Sequence, residues 1–329
     1  MMKTNRHKFC NHGFIVNCFL SGKIDFRQGG KDQNYFLIPI WITETVKLKI
    51  EYTKKSTKMP AVDLKPCFLT PKPVQSDAPL FIYLPGMDGT GQLLKTQIPE
   101  LSLGLDIRCL AISKNYLGTW DVLSRNVLDL IHGELEKSRQ RPIYLCGESF
   151  GGCLAMKVAT QSPHLFKRII LINPASAFLQ DPWFSWISRL TQFVPSLLFN
   201  VGSLGLLPFL ASLERISEGD RQILLAAMRS IPPETINWRL SLLRDFQVDK
   251  KDLQQLTQPI LLIGSGSDRL LPSVNEIARL ARILPNTKIF ILPNSGHACL
   301  LEKNVNLYQI LKDNGFLEAN INSDWVVGL

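Results

Sequence analysis

Short apolar runs alternate with amphipathic stretches along most of the chain. Leu80-Phe-Ile-Tyr-Leu84, Ile143-Tyr-Leu-Cys146, Ile169-Ile-Leu-Ile172, Ile260-Leu-Leu-Ile263 and Ile289-Phe-Ile-Leu292 are brief hydrophobic segments closed off by Pro, Gly or Asn. Such runs are too short for buried helices and fit strands covered on both faces. The pattern predicts strands near 79–84, 106–112, 142–147, 168–173, 259–264 and 287–292, and helices near 91–103, 120–138, 150–161, 273–284 and 303–314. Strands alternating with helices imply right-handed crossovers, a mostly parallel central sheet flanked by helices, and ligands at the carboxyl ends of the strands.

The alternation is interrupted once, over residues 177–258, which reads as a helical cap inserted before the strand near 259–264. From Pro182 to Leu213 its only formal charge is Arg189. Trp183, Phe184, Trp186 and Phe193 recur there among leucines and are candidate substrate-binding residues. Two readings stand side by side: a cap that buries this surface on the core, and a lipid-facing lid or acyl-tunnel wall. Pro195, Gly202, Gly205 and Pro208 interrupt the stretch, which argues against a membrane-spanning helix. Glu214 to Lys251 is charged and amphipathic and is expected to form the outer helices of the cap. The expected organisation is therefore a core of 59–176 and 259–329, a cap of 177–258, and an N-terminal extension of 1–58.

Charge changes the picture only in that extension. The chain carries 37 Lys and Arg against 28 Asp and Glu, a net +9, but residues 1–58 hold 11 basic and 4 acidic residues. The remainder is nearly neutral, so basicity gives no argument for nucleic acid. The extension reads as solvated and partly disordered, with contact to anionic lipid or a targeting role as the alternatives. Tyr35 to Tyr52 is strand-like and suits an edge hairpin. Seven cysteines, several inside predicted strands and helices, suggest a reducing compartment rather than a disulfide framework. No Cys/His set has zinc spacing, so no metal or other cofactor is inferred.

The chemistry is carried by Gly147-Glu-Ser-Phe-Gly-Gly152, which follows one predicted strand and opens one predicted helix. In that context Gly-x-Ser-x-Gly is a nucleophile elbow, a turn so sharp that Ser149 must adopt a strained conformation with its hydroxyl exposed. A serine hydroxyl needs a base, and the base an orienting acid. In this architecture both follow the serine, acid first. Of five histidines only His164 and His297 lie beyond Ser149. His164 sits at the far end of the helix leaving the elbow, about 20 Å away at 1.5 Å per residue. His297, on a Gly-containing loop after the strand near 287–292, is the expected base, and Asp268, after the strand near 259–264, the expected acid. Asp181, one strand earlier, is the runner-up. For an oxyanion, the Phe150 amide is one expected donor and the Met87 amide, in Pro85-Gly-Met-Asp-Gly-Thr-Gly91, the other. Gly86 is expected to supply an unusual backbone conformation beside the substrate, and Asp88 to act as a turn or cap residue.

With Leu84-Pro-Gly-Met-Asp-Gly-Thr-Gly91, Gly147 to Gly152, Ile231-Pro-Pro-Glu-Thr-Ile-Asn-Trp238, Asp268-Arg-Leu-Leu-Pro-Ser273 and Ser295-Gly-His297 assembled, the chain resembles an α/β-hydrolase of the esterase, lipase and thioesterase type. It is similar to the hydrolase half of plastid phytyl ester synthases and diacylglycerol acyltransferase-like proteins, from about Leu80 to Phe316. Those plastid proteins carry a second, acyltransferase-like region with a His-x-x-x-x-Asp motif. No histidine here has aspartate five positions later. The resemblance implies acyl chemistry on a lipid-like ester or thioester in the cytoplasm or plastid stroma, peripheral to a membrane. The expected activity is a serine hydrolase. The alternatives are transfer to a long-chain alcohol such as phytol or to diacylglycerol, and a catalytically silent lipid- or partner-binding protein.

Overall fold

The computed structural model describes residues 65–137, 141–177 and 208–317. The basic extension, the stretch Tyr35 to Tyr52, Asp181, Trp183, Phe184, Trp186 and Phe193 lie outside the described residues. Among those described, seven strands form one sheet: β1 (Cys67–Leu69), β2 (Leu80–Leu84), β3 (Asp106–Ala111), β4 (Ile143–Glu148), β5 (Arg168–Ile172), β6 (Ile260–Ser265) and β7 (Thr287–Leu292). Their order is β1-β3-β2-β4-β5-β6-β7. All pairs are parallel except β1 with β3, where Cys67 faces Ala111 in an antiparallel edge ladder. This is the α/β-hydrolase fold, with the expected central strands in place.

The central strands are buried on both sides, which is why they read as continuous apolar runs rather than alternating ones. Leu80, Ile82 and Leu84 of β2 face a core shared with α2 (Trp120–Leu135), α3 (Phe150–Gln161) and α7 (Ser273–Ala281). Phe81 and Tyr83 point to the opposite face, against α1 (Ile98–Leu101) and α8 (Leu307–Asp313). The single predicted helix over 91–103 is instead a 3-10 turn at Gln92–Leu94 followed by short α1. Pro99 lacks the amide that an uninterrupted helix would need there. The helix expected over 303–314 is shorter because it starts only at Leu307, where Asn306 caps α8 by accepting from the Gln309 amide.

Between β5 and β6 the described part of the insertion forms α4 (Glu218–Arg229), α5 (Pro233–Arg244) and α6 (Lys250–Gln254). The sequence predicts outer helices here, yet α5 is tucked into the core. Leu242 and Leu243 join the same apolar cluster as α2 and α3, and Arg239 is only 2 % exposed. Thr235 and Arg239 on α5 therefore mark inward contacts rather than a solvated face. No helix among the described residues is long and apolar enough to cross a membrane.

Glycine positions separate tight backbone approach from empty space. A Cβ on Gly151 would lie 2.0 Å from the Leu84 carbonyl oxygen, whereas one on Gly133, inside α2, meets nothing within 4 Å. Gly151→Ala is expected to lower stability by about 3 kcal/mol through overpacking against backbone. Gly133→Ala is expected to raise it by about 0.5–1 kcal/mol through helix propensity. Urea unfolding midpoints of the two variants should move in opposite directions.

Candidate active site

Ser149 stands alone between the last residue of β4 and the first of α3, at φ 54° and ψ −115°. A non-glycine residue there is strained by roughly 1–3 kcal/mol. The surroundings hold it: its amide donates to the Ile172 carbonyl at the end of β5 (2.9 Å), and its carbonyl accepts from Gly152 (2.9 Å) and Ala175 (3.2 Å). Cβ atoms on Gly147 and Gly151 would strike backbone at 2.2 and 2.0 Å, so the turn closes only with glycine at both positions.

The structure brings Ser149, His297 and Asp268 into one hydrogen-bonded line. Ser149 Oγ is 2.9 Å from His297 Nε2, and His297 Nδ1 is 2.8 Å from Asp268 Oδ2. Asp268 is fixed in turn, Oδ1 accepting from the amides of Leu270 (2.8 Å) and Leu271 (3.0 Å) and Oδ2 from the Ser273 hydroxyl. Burial pushes the Asp268 carboxyl upward, but His297 and these donors outweigh it and hold the group below 3.8. Burial likewise disfavours protonated His297, and Asp268, with Glu148 behind it, more than compensates, raising the imidazole above 6.5. His164, by contrast, is exposed, past the end of α3.

Three supports were not legible from the sequence. Asn173, fully buried at φ 44°, donates from Nδ2 to Ser265 Oγ and to the His297 carbonyl, both at 2.8 Å, and accepts from the Ser265 amide at 2.8 Å. It ties the ends of β5 and β6 to the histidine loop. Glu302, also buried, accepts from the Gly296 amide (2.8 Å) and the Ser295 hydroxyl (2.9 Å) and pairs with Arg215 Nε (2.5 Å). The insertion adds backbone ties to the same region, Ala298 N–H to Leu210 C=O (2.8 Å) and Lys303 N–H to Arg215 C=O (3.0 Å). Glu148, the residue before Ser149, accepts from the Tyr83 hydroxyl; burial, opposed by Tyr83 and His297, pushes its carboxyl up to about 7. The one available signal was position: each lies within a few residues of a strand's carboxyl end or a catalytic loop.

The loop after β2 lies against Ser149, since a Cβ on Gly86 would sit 3.7 Å from that of Ser149. Gly86 supplies room there rather than an unusual conformation: the positive φ values fall on Gly89 (66°) and Gly91 (69°). They are needed because the chain must turn back after Gly86, whose carbonyl accepts from the Gly89 amide at 3.0 Å. Asp88 is a turn residue, its Oδ2 accepting from the Thr90 amide (2.9 Å) and hydroxyl (2.5 Å). Met87 is one of the two central residues of this turn. Phe150 opens α3, where the first amides have no intrahelical acceptor. Its ring stacks on Trp120 at 4.7 Å, which anchors the helix start.

A family profile described as serine aminopeptidase, S33, matches residues 103–304. The chain is 31% identical over 266 residues to phytyl ester synthase 1, chloroplastic, of Arabidopsis thaliana, covering 74% of this chain and 38% of that protein. It is 28% identical over 166 residues to a pimeloyl-[acyl-carrier protein] methyl ester esterase of Nitrosomonas europaea, covering 48% of this chain and 65% of that protein. The chain thus spans well under half the length of the plant relative. Among solved structures, a thermophilic esterase from Thermogutta terrifontis superposes with a TM-score of 0.60 at 17% identity, over 75% of this chain and 92% of that one. At that identity the likeness establishes the shared fold.

Removing Glu302 leaves a buried amide, a hydroxyl and a guanidinium without their acceptor. Glu302→Ala is expected to cost about 3 kcal/mol in urea unfolding, and Glu302→Gln, which keeps an acceptor oxygen, distinctly less.

Proposed function

The chain belongs to the family described as serine aminopeptidase, S33, and on that α/β-hydrolase scaffold we propose a serine esterase that cleaves acyl esters or thioesters of lipid-like substrates through an acyl-enzyme on Ser149. The observation that carries this reading is the unbroken line Ser149–His297–Asp268, with contacts of 2.9 and 2.8 Å. His297 takes the serine proton as Ser149 Oγ attacks the acyl carbonyl, then returns it to the leaving alcohol or thiol. Asp268 holds the imidazole in the tautomer whose Nε2 is the acceptor and stabilises the imidazolium. The amides of Phe150 and Met87 receive the charge that develops on the carbonyl oxygen. Water admitted by the same base then releases the acid.

Ester rather than peptide substrates are favoured by the relatives, which are named for a phytyl ester and for a methyl ester of a carrier-bound acyl group. The apolar composition of Pro182 to Leu213 suits a cap over residues 177–258 that lines an acyl pocket, with Trp183, Phe184, Trp186 and Phe193 as wall residues on a core of 59–176 and 259–329. Acyl transfer to a long-chain alcohol is the second reading. It is favoured by the 31% identity to a phytyl ester synthase and needs only that the alcohol, instead of water, resolve the acyl-enzyme. The chloroplastic relative and the buried thiols Cys109, Cys146, Cys153 and Cys299 favour a reducing setting such as the plastid stroma.

A time course with long-chain p-nitrophenyl esters, alone and with phytol, tests both readings. Wild type is expected to release free fatty acid. Accumulation of phytyl ester instead would move the activity to acyl transfer, and turnover that survives in Ser149→Ala would sink the mechanism. Ser149→Ala should lose at least about 10³-fold in kcat.

Activity requires neutral His297, so kcat/KM should rise with pH through a midpoint above 6.5. In Asp268→Asn the carboxylate is gone and burial, which favours the neutral ring, dominates. The midpoint should therefore fall, and the rate should drop by roughly 10²–10⁴.

A further inference from the structure

Helix α5 presents Thr235, Trp238, Arg239 and Leu242 at the i, i+3, i+4, i+7 spacing of a single face. Each meets a different segment near the carboxyl edge of the sheet. Thr235 Oγ1 donates to the Lys114 carbonyl (2.6 Å), Trp238 Nε1 to the Gly118 carbonyl (3.2 Å), and Trp120 Nε1 donates to the Leu242 carbonyl (2.7 Å). Arg239 reaches farthest. Its Nη1 donates to the Met87 carbonyl and its Nη2 to the Ser113 carbonyl (3.4 Å).

The guanidinium seats on Gly89. A Cβ there would lie 2.8 and 2.9 Å from its two terminal nitrogens and 3.1 Å from the carbon between them, and Gly89 also holds φ +66°. Any side chain at 89 would evict Arg239. The seat is electrostatically demanding: burial draws the guanidinium down to about 10, opposed by Asp88, whose own carboxyl burial pushes upward. A buried cation resting on backbone carbonyls and one nearby acid adds little to stability compared with an apolar side chain of the same size. Its geometry is what an apolar residue could not reproduce.

That geometry acts on one peptide. The Gly89 amide donates to the Gly86 carbonyl, closing a four-residue turn with Met87 and Asp88 at its centre. The Gly86 carbonyl belongs to the peptide that carries the Met87 amide, so this bond holds Met87 on its amino side. The Met87 carbonyl belongs to the next peptide, at the centre of the turn, and Arg239 holds it turned toward α5.

Resting on the reading that Met87 supplies an oxyanion amide, we infer that Arg239 is a positioning residue for the oxyanion hole: it holds the Met87 carbonyl while Gly89 holds the carbonyl of the Gly86–Met87 peptide, so that Met87 is fixed from both sides and its amide keeps one direction beside Ser149. The role links the Ile231 to Trp238 motif to the chemistry, because that motif builds the helix face from which Arg239 projects. Arg239 touches no reacting atom. Its loss should weaken stabilisation of the transition state while leaving substrate binding nearly intact.

The test compares wild type, Arg239→Gln and Arg239→Lys by four readouts: thermal melting, the second-order rate of Ser149 labelling by a fluorophosphonate, kcat and KM on a p-nitrophenyl ester, and inhibition by an alkyl trifluoromethyl ketone, which forms a tetrahedral adduct on the serine. In Arg239→Gln, kcat should fall roughly 10–100-fold with KM within about threefold, and affinity for the ketone should fall in parallel with kcat/KM. Arg239→Lys, which keeps a charged donor but not the fork, should lie between Arg239→Gln and wild type. A folded variant whose labelling rate and ketone affinity stay within twofold of wild type overturns the inference, as does a rise in KM with kcat unchanged. If Arg239→Gln loses its thermal transition, Arg239→Lys carries the same criteria. A wild-type protein that the fluorophosphonate does not label overturns the acyl-enzyme reading itself; a labelled wild type with equally reactive variants overturns the role of Arg239 alone.

Discussion

Ser149 holds φ 54° and ψ −115° because two chain segments approach closer than any side chain permits. Gly151 lies against the Leu84 carbonyl and Gly147 against the Gly151 carbonyl, so β2, β4 and the start of α3 are locked together at the carboxyl edge of the sheet. This contact sets where the hydroxyl points. The rest of the site is then built from loops that leave neighbouring strands at the same edge: β2 delivers Met87, β5 delivers Asn173, β6 delivers Asp268, and the segment after β7 delivers His297. Parallel pairing in register across β2, β4, β5, β6 and β7 brings these strand ends level.

The electrostatic design around Ser149 is lopsided. Asp268, Glu148 and Asp88 place three acids near a single imidazole and a single guanidinium. They are not equivalent. Asp268 is held ionised by His297 and by its hydroxyl and amide donors, whereas burial dominates at Glu148 and carries it to about 7. Environment rather than residue type thus separates the acid bonded to His297 from the acid that precedes Ser149.

Much of this was legible in the residues themselves. Strands buried on both faces leave uninterrupted apolar runs, and the elbow glycines are required by sterics, so the sheet and Ser149 follow from local pattern. Histidine is scarce enough that chain order left His297, and a loop address was enough for Asp268. What escaped was long-range and polar. Asn173 bonds to residues 92 and 124 positions away, and Arg239 to one 152 positions away; no local period encodes such pairs. Nothing in the sequence marked Glu302, and Arg239 fell in a charged stretch read as outer helix because charge is usually solvated, which is why α5 was placed outward. Pro99 was visible, yet its consequence for the predicted 91–103 helix depended on how the loop after β2 packs.

The insertion between β5 and β6 is stitched to the core at both loops that serve Ser149. Leu210 and Arg215 grip the histidine loop, and Arg239 grips the turn holding Met87. A cap so attached is not an interchangeable lid. If new substrate ranges arose in this lineage by replacing the insertion, each replacement had to bring compatible anchors with it or lose the machinery beneath. Any exchange of the described helices therefore also exchanges the hydrogen bonds that hold the loops after β2 and β7.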